Sequence, residues 1–381
     1  MFDMSKILVT KPFQAPYDEI STEIQRAWDS EWLTNNGPIL RQLEDGMKAY
    51  LGTRDCAVVS NGTIAIQVAL HALKVDGEVI TTPFSYVATT SSLAWEGCKP
   101  VFVDIDPRSF NLDPSKIEAA ITEKTTAILA THVFGVPCDV NAIDKVAKKH
   151  GLKVIYDAAH CFGTTIGGSS IMNYGDIATL SLHATKLFHS VEGGAIFVND
   201  TIAQKVDSIA GEVSPLRFEV DRLRNFGHHG PEIFSGVGIN AKNSELHAAV
   251  GLVNLRYADK IIADRKRQHQ CYNDLLQSLP LQYPEIPENV EWNHSYYPVV
   301  FRSEAEALAV KDGLESVGIY ARRYFHPALN TLNYIDFPGV TPVADQISSS
   351  ILCLPLYYGL EEDKIMRVTS ELIRICTDYR S

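Results

Sequence analysis

The sequence lacks the features that mark membrane, secreted and nucleic-acid-binding proteins. No apolar run approaches the roughly 18 residues of a membrane span. The first ten residues contain no long apolar core and no small-residue cleavage site, so we expect no signal peptide. Basic residues are in deficit, with 34 Lys and Arg against 46 Asp and Glu, for a net charge of -12. This balance argues against nucleic-acid or membrane-surface partners, which require a basic face.

Several common site motifs are also missing. The seven cysteines are scattered and form no CxxC pair, which is typical of reduced thiols in a cytoplasmic protein. No GxGxxG segment follows a strand pattern and opens a helix, and no P-loop is present, so the sequence supports neither a nicotinamide site nor a P-loop nucleotide site. The adjacent His228 and His229 have no carboxylate or thiol pattern around them, and we expect no metal site.

What the sequence does contain is a regular alternation of strand and helix patterns between Leu51 and Asn199. The predicted strands lie at 78–80, 100–104, 126–130, 152–156 and around Leu180, and the predicted helices lie at 64–73, 86–95, 114–121 (with Asp113 as N-cap) and 140–150. Apolar strands separated by amphipathic helices indicate an α/β fold with a largely parallel sheet covered on both faces. Ligands of such sheets bind beyond the carboxyl ends of the strands.

The length of 381 residues predicts two packed domains. Helices predicted at 245–257 and 261–276 connect to a second set of elements, a strand at 296–301 and helices at 304–317 and 361–375. We therefore expect a large domain at 1–257, including an N-terminal segment at 1–50, and a smaller C-terminal α/β domain at 258–381.

Lys186 and Asp157 carry the strongest chemical signal. Asp157 follows the apolar run that ends at Tyr156, and Lys186 follows the Leu180 strand and precedes Glu192-Gly193-Gly194. A buried amine that loses its charge is a nucleophile towards carbonyl groups. A carboxylate at a neighbouring strand end can hold a pyridine nitrogen protonated. The pair is what pyridoxal phosphate chemistry requires, and the alternative for Lys186 is a surface lysine.

Other residues could contact the same cofactor as this pair. Ser60-Asn61-Gly62-Thr63 opens a helix and could hold a phosphate, or it could be a plain N-cap. Tyr86 could lie over a flat ring, or be a core aromatic. His160 could donate to the phenolic oxygen of a pyridoxal, or be a satisfied core histidine. Ser181 could donate to the phosphate, or merely cap a turn.

These motifs together resemble the DegT/DnrJ/StrS family of nucleotide-sugar aminotransferases, which are fold-type-I pyridoxal phosphate enzymes. The resemblance extends from Trp32-Leu33-Thr34-Asn35-Asn36-Gly37-Pro38 to Leu354-Pro355-Leu356-Tyr357, and includes the strings 101–106 and 238–240. It implies a mostly parallel seven-stranded sheet flanked by helices, pyridoxal 5'-phosphate as cofactor, and a homodimer with two shared active sites.

The resemblance also implies roles for individual residues. Lys186 matches the Schiff-base lysine and Asp157 the pyridinium partner, while the remaining cofactor contacts match Gly62, Thr63, Tyr86, His160, Ser181 and Asn240. Asn240 matches an asparagine that reaches the phosphate in the neighbouring subunit. Thr34 and Asn35 match a segment near the sugar. At Lys242 many members carry Arg, so a bidentate contact there is not expected.

Resemblance to particular members of the family indicates the substrate. His183 resembles members that aminate C4 of a 4-keto-6-deoxy sugar, and several strings are most similar to dTDP-4-amino-4,6-dideoxyglucose transaminases of O-antigen and lipopolysaccharide biosynthesis. The resemblance implies L-glutamate as amino donor and a dTDP-sugar as acceptor. The diphosphate needs basic and hydroxyl groups, for which Arg322, Tyr324 and His326 are candidates, although 321–327 could also be an exposed charged turn.

Three other functions are considered. Members that dehydrate the sugar carry histidine in place of the lysine, so Lys186 argues against that reaction. Amination at C3, or formation of the other C4 epimer, stays open. A non-catalytic pyridoxal-binding regulator usually carries a DNA-binding segment, for which we see no room before Leu51.

Overall fold

A computed structural model describes residues 6–200, 206–208, 211–337 and 339–380. Residues 1–5 of the stretch considered for a signal peptide lie outside the described residues. No helix within the described ranges is long and apolar enough to cross a membrane. All seven cysteines are free thiols, and six of them are buried.

The strands are numbered along the chain. In the described residues they are β1 (Ala57–Val59), β2 (Glu78–Thr81), β3 (Lys99–Phe102), β4 (Thr125–Thr131), β5 (Lys153–Asp157), β6 (Thr165–Ile166), β7 (Ser169–Ser170), β8 (Ile177–Ser181), β9 (Gly194–Val198), β10 (Val206–Ser208), β11 (Gly211–Val213), β12 (Val290–Glu291), β13 (Tyr297–Val300) and β14 (Ile351–Leu354).

The helices are numbered in the same way. In the described residues they are α1 (Tyr17–Asp29), α2 (Pro38–Leu51), α3 (Gly62–Ala72), α4 (Val87–Trp95), α5 (Pro114–Ile117), α6 (Val140–His150), α7 (Pro215–Leu223), α8 (Glu245–Leu255), α9 (Ala258–Leu276), α10 (Glu304–Ser316), α11 (Pro342–Ser350) and α12 (Glu362–Arg380).

Seven of the strands form one sheet in the spatial order β1, β9, β8, β5, β4, β2, β3. The strand pairs β2–β3, β2–β4, β4–β5 and β5–β8 are parallel. β9 runs antiparallel to both of its neighbours, β8 and β1. The expected mostly parallel seven-stranded sheet is confirmed, and the carboxyl ends of β1, β2, β4, β5 and β8 share one edge.

Side chains alternate between two apolar cores, one on each face of this sheet. In β4, Ile128 and Ala130 belong to one core and Ala127 and Leu129 to the other. The same alternation occurs in β5, β8 and β9 because successive residues of a strand point to opposite faces. Both faces are therefore covered, which explains why these strands read as continuous apolar runs.

A third core lies between the antiparallel pair β13–β14 and the helices α9, α10 and α12. Its members include Tyr272, Tyr297, Leu314 and Leu352, which are all buried. A smaller cluster of apolar and aromatic residues, including Phe84 and Phe325, joins this part of the molecule to the seven-stranded sheet. The boundary at residue 257 stays a prediction.

Some elements differ from the sequence predictions. The helix expected at 114–121 ends at Ile117 and continues as a 3₁₀ turn, Glu118–Ala120. Asp113 caps it as expected, by accepting a hydrogen bond from the Ser115 N–H. Strand β14 and helix α11 were not predicted.

Candidate active site

A cavity of about 590 Å³ opens at the carboxyl-end edge of the sheet. It collects most of the site residues expected from the sequence. They are Gly62, Thr63, Tyr86, Asp157, His160, Ser181, His183, Lys186, Arg322 and Tyr324. The location agrees with the rule for ligands of parallel sheets.

Asp157 is the last residue of β5, rather than the first residue after it, and its side chain is buried. One carboxylate oxygen, Oδ2, accepts a hydrogen bond from the Thr89 hydroxyl at 2.7 Å, and Oδ1 accepts one from the Ala159 N–H at 3.1 Å. Burial raises the pKa of Asp157, while these two hydrogen bonds and the nearby Lys186 oppose the rise. The site thus supplies a carboxylate whose charge is supported by defined donors.

Lys186 lies in the loop between β8 and β9, in a turn closed by its own N–H bonding to the His183 carbonyl at 2.8 Å. Desolvation lowers the pKa of its amine from 10.5 to about 8, and the Asp157 charge limits the shift. A substantial fraction of the amine is therefore neutral near physiological pH, as a carbonyl-reactive lysine requires.

His160 is buried and lines the cavity. Its ring stacks on Phe325 with centroids 5.6 Å apart and meets Tyr296 edge-on at 4.9 Å. Burial lowers the pKa of His160 well below its usual range, so the imidazole is neutral. Its Nδ1 has no hydrogen-bond partner within the described part of the chain.

The N-terminus of α3 faces the cavity. Asn61 caps the helix by accepting from the Ile64 N–H at 2.9 Å, which leaves the N–H groups of Gly62 and Thr63 for another acceptor. A Cβ on Gly62 would lie 3.0 Å from Cβ of Ser181, so glycine permits the close approach of α3 to β8. The N-cap interpretation is confirmed, and the same helix end can still hold an anion.

His183 and Glu192 face each other across the mouth of the cavity. His183 Nε2 lies 3.7 Å from Glu192 Oε1, and its Nδ1 pairs with the Thr185 hydroxyl at 2.8 Å. Tyr86, the residue before α4, is 52 % exposed and lines the cavity nearby. An exposed aromatic ring at this position can cover a flat ligand.

Arg322 lines the cavity and is held beside strand β14. Its backbone pairs with Cys353 of β14 through two hydrogen bonds of 3.1 and 2.8 Å. Its guanidinium carbon lies 4.3 Å from the centre of the Tyr324 ring. Among the described residues that line the cavity, Lys186 and Arg322 are the only lysine and arginine.

Four expected site residues do not line this cavity. Thr34 and Asn35 are exposed near the start of α2, His326 is exposed beyond Tyr324, and Asn240 is exposed and accepts a hydrogen bond from Lys242 Nζ at 2.7 Å. The chain by itself therefore does not bring them to Lys186. The role of Asn240 in a neighbouring subunit stays a prediction.

Sequence reasoning missed three residues of the site. Thr89 bonds to Asp157, and Tyr296 and Phe325 enclose His160. Thr89 lies three residues after Tyr86 in the first turn of α4, so helical spacing was the signal that could have placed it on the same face. No local pattern marks Tyr296 or Phe325, which belong to the aromatic cluster that includes Phe84.

Three comparisons bear on this geometry. The model of the DegT/DnrJ/EryC1/StrS aminotransferase family matches residues 16–373. The chain is 38% identical over 375 residues to a dTDP-4-amino-4,6-dideoxy-D-glucose transaminase of Shigella dysenteriae, covering 97% of this chain and 99% of that protein. A protein of Escherichia coli with the same name is 36% identical over 384 residues, covering 96% and 98%. The crystal structure of DesI with its TDP-sugar product superposes with a TM-score of 0.91 at 32% identity, covering 99% of this chain and 94% of that chain.

Proposed function

The chain belongs to the DegT/DnrJ/EryC1/StrS aminotransferase family, and we propose that it transfers the amino group of L-glutamate to C4 of dTDP-4-keto-6-deoxy-D-glucose. The product would be dTDP-4-amino-4,6-dideoxy-D-glucose. The observation that carries the proposal is the lysine–carboxylate pair, Lys186 and Asp157, inside one cavity at the carboxyl ends of the strands.

The cofactor is pyridoxal 5'-phosphate, and the residues present fit it. The His160 ring, the free helix end at Gly62 and Thr63, and the carboxylate of Asp157 all line the cavity and match its phenolic oxygen, phosphate and ring nitrogen. When bound, the cofactor supplies an aldehyde that reacts with amines and a protonated ring that accepts electrons.

Lys186 has two tasks in this proposal. Its neutral amine, favoured by a pKa near 8, is the nucleophile that holds the cofactor. With the donor amine bound in its place, Lys186 Nζ would be the base that takes the proton from the α-carbon of glutamate and returns it during the transfer. The same atom serves in the reverse direction when the sugar is aminated.

Asp157 and the helix end orient the cofactor. The carboxylate of Asp157, hydrogen-bonded by Thr89, holds a proton on the ring nitrogen throughout. The N–H groups at the start of α3 and the hydroxyl of Ser181 bind the phosphate. Tyr86 would cover one face of the ring, and His160 would donate to the phenolic oxygen.

The acceptor sugar is bound by the outer part of the site. Arg322 and Tyr324, which line the cavity, are proposed to meet the diphosphate. His326, Thr34 and Asn35 lie outside the cavity, and their contacts with the sugar nucleotide stay predictions. His183, positioned by Thr185 and facing Glu192, is proposed to act at C4. Amination at C3 is the rival, and the identity of the product distinguishes the two.

We further propose a cytoplasmic homodimer in which Asn240 completes the phosphate site of the partner. Two observations support it: Asn240 is exposed and does not line its own cavity, and the segment around it exposes large apolar side chains. These are Phe226, Ile233, Phe234, Val237 and Ile239. A role in O-antigen or lipopolysaccharide synthesis is consistent with such a product.

The test follows the absorbance of the purified protein loaded with cofactor. Loss of the lysine-linked band with L-glutamate, and its return with dTDP-4-keto-6-deoxyglucose, would establish both half-reactions. Mass spectrometry and NMR of the product would identify the aminated carbon. A band that responds to glutamate but not to this sugar would remove the proposed acceptor, and no response to glutamate would favour a regulator.

Replacing the lysine provides the matching control. We expect Lys186→Ala to lose turnover completely while circular dichroism and thermal unfolding show a folded protein. Retention of wild-type activity in a folded Lys186→Ala variant would refute the assignment of Lys186.

A further inference from the structure

Three buried hydroxyl groups form a chain that ends on Asp157. Thr89 Oγ1 lies 2.7 Å from Asp157 Oδ2, Ser85 Oγ lies 2.9 Å from Thr89 Oγ1, and Thr131 Oγ1 lies 3.1 Å from Ser85 Oγ. None of the four side chains is more than 6% exposed. They come from three places in the fold: the end of β4, the β2–α4 loop with the first turn of α4, and the end of β5.

The ionised carboxylate determines the direction of every hydrogen bond in the chain. A carboxylate only accepts, so Thr89 must donate its single hydroxyl proton to Asp157. The Thr89 oxygen must then accept from Ser85, and the Ser85 oxygen from Thr131. All three O–H groups therefore point towards Asp157, and hydrogen bonds aligned in this way strengthen one another.

The hydrogen bond from Thr89 matters because Asp157 is buried. Burial raises the pKa of Asp157, and the Thr89 hydroxyl is the strongest influence that opposes the rise. The other groups that favour the charge are the Ala159 N–H, at 3.1 Å from Oδ1, and Lys186. Lys186 supplies less support as its amine becomes neutral, whereas the hydroxyl chain carries no charge to lose.

We propose that Thr89, backed by Ser85 and Thr131, is a positioning residue that keeps Asp157 ionised and thereby keeps the proton on the ring nitrogen of the cofactor. The inference rests on the proposed function, because it concerns the carboxylate assigned to the pyridine nitrogen. Without the donated hydrogen bond the carboxylate would bind a proton more strongly and withdraw it from the ring.

The test replaces Thr89 by valine, which keeps the branched shape and removes the hydroxyl. The protein is loaded with pyridoxal phosphate labelled with ¹⁵N in the ring, and the ¹⁵N chemical shift reports protonation without any turnover. We expect Thr89→Val to move the shift towards the unprotonated value and to slow the half-reaction with L-glutamate by about tenfold, the effect of losing one hydrogen bond to a charged group.

The neighbouring residue provides a matched control. Thr90 is also fully buried in α4, but its Oγ1 has no hydrogen-bond partner in the described residues. We expect Thr90→Val to give wild-type ¹⁵N shifts and rates, and Thr89→Ser to restore both. Ser85→Ala, which leaves Thr89 in place but removes its donor, should give a smaller change in the same direction.

A wild-type ¹⁵N shift in loaded Thr89→Val would overturn the inference, whatever its activity, and so would equal shifts in Thr89→Val and Thr90→Val. If Thr89→Val does not fold, an unchanged shift in Ser85→Ala overturns it instead. Failure of the proposed function looks different, because the wild-type protein itself would then not bind the cofactor or not respond to L-glutamate.

Discussion

The amine of Lys186 is subject to opposing influences whose balance sets a working pH. Desolvation lowers its pKa to about 8, and the negative charge of Asp157 counteracts part of that shift. The amine is protonated below this pH and neutral above it, and only the neutral form attacks an aldehyde. We expect the rate of pyridoxal phosphate uptake by the cofactor-free protein to rise with pH and to level off above about pH 8.

Asp157→Asn tests the electrostatic part of this prediction. Loss of the negative charge destabilises the ammonium form, so the midpoint of the uptake profile should move to lower pH. Stopped-flow absorbance gives the profile, and a simple lysine derivative measured in parallel corrects for titration of the cofactor itself. A midpoint near 10.5, as for an unperturbed lysine, would contradict the burial argument.

The adjacent residues Arg322 and Arg323 have different surroundings, and we expect only Arg322 to contact the substrate. Arg322 lines the cavity and has no carboxylate partner within the described residues, whereas Arg323 pairs with Glu304 and donates to the Ser349 carbonyl. We expect Arg322→Leu to raise the KM for the dTDP-sugar by about tenfold or more, the effect of losing one charge-assisted hydrogen bond.

Arg323→Leu is the control, and we expect its KM to stay within about twofold of wild type because its ion pair is exposed on one side. Steady-state kinetics at saturating L-glutamate measure both variants. Equal effects in the two variants would indicate that the 321–327 turn acts through its structure, and that Arg322 does not meet the diphosphate.

The residues that the sequence could predict are those with a local signature. Asp157 ends an apolar strand and Lys186 follows one, and both line the cavity. Thr89 was missed because the sequence around a helical threonine does not show what its hydroxyl bonds to. Its hydrogen bond to Asp157 depends on where the start of α4 lies relative to the end of β5. Tyr296 and Phe325 were missed because packing between distant parts of the chain brings them to His160.

Among the elements, those with explicit start and stop signals were predicted best. Helix α6 has its predicted bounds, since Asp139 caps its start and Gly151 adopts a left-handed conformation at its end. Strand β14 was missed because its short apolar run follows α11 directly and no turn residues separate the two. The antiparallel direction of β9 was also not predictable, because an apolar run does not reveal strand direction.

The junction of β9, β1 and α3 depends on the absence of a side chain at Gly194. A Cβ there would lie 2.4 Å from the Asn61 carbonyl oxygen and 2.8 Å from the Gly62 nitrogen. Both contacts are with backbone atoms at the start of α3, which cannot swing aside. We expect Gly194→Ala to lower the free energy of unfolding by about 1–3 kcal/mol and to weaken cofactor affinity by displacing the phosphate-binding end.

Gly46→Ala is the comparison for this prediction. Its Cβ would meet only the end of the flexible Leu255 side chain, at 2.8 Å, and alanine is favoured inside helix α2. Urea unfolding and cofactor titration of both variants decide the matter, and we expect Gly46→Ala to stay close to wild type. Similar losses in both variants would show that strict backbone approach is not required at Gly194.

The net charge of the whole molecule has the same sign as the charge of its proposed ligands. The chain carries a net charge of -12, yet the proposed substrate and cofactor are both anions. Local features supply the attraction, namely Arg322, Lys186 and the helix end of α3. The N–H groups of α3 do not register in a count of charged residues.

The exposed segment around Asn240 is the basis for the proposed shared site. Val237 is 88% exposed and its apolar neighbours are also open to solvent, a pattern that burial against a second copy would explain. If Asn240 reaches the phosphate in the partner, Asn240→Asp should place a negative charge beside that phosphate and disable both sites of a homodimer.

Mixing the Asn240→Asp and Lys186→Ala variants then gives a test with a predicted fraction of recovered activity. In a mixed dimer one site combines an intact Lys186 with an intact partner asparagine, and the other site has neither. Because half of randomly reassorted two-fold dimers are mixed, about a quarter of wild-type activity should return from two inactive proteins. The measurement is activity after the subunits are unfolded and refolded together, with each variant treated alone as the control. If mixed dimers form by mass spectrometry but no activity returns, Asn240 does not serve the partner subunit, and the shared-site arrangement must be abandoned.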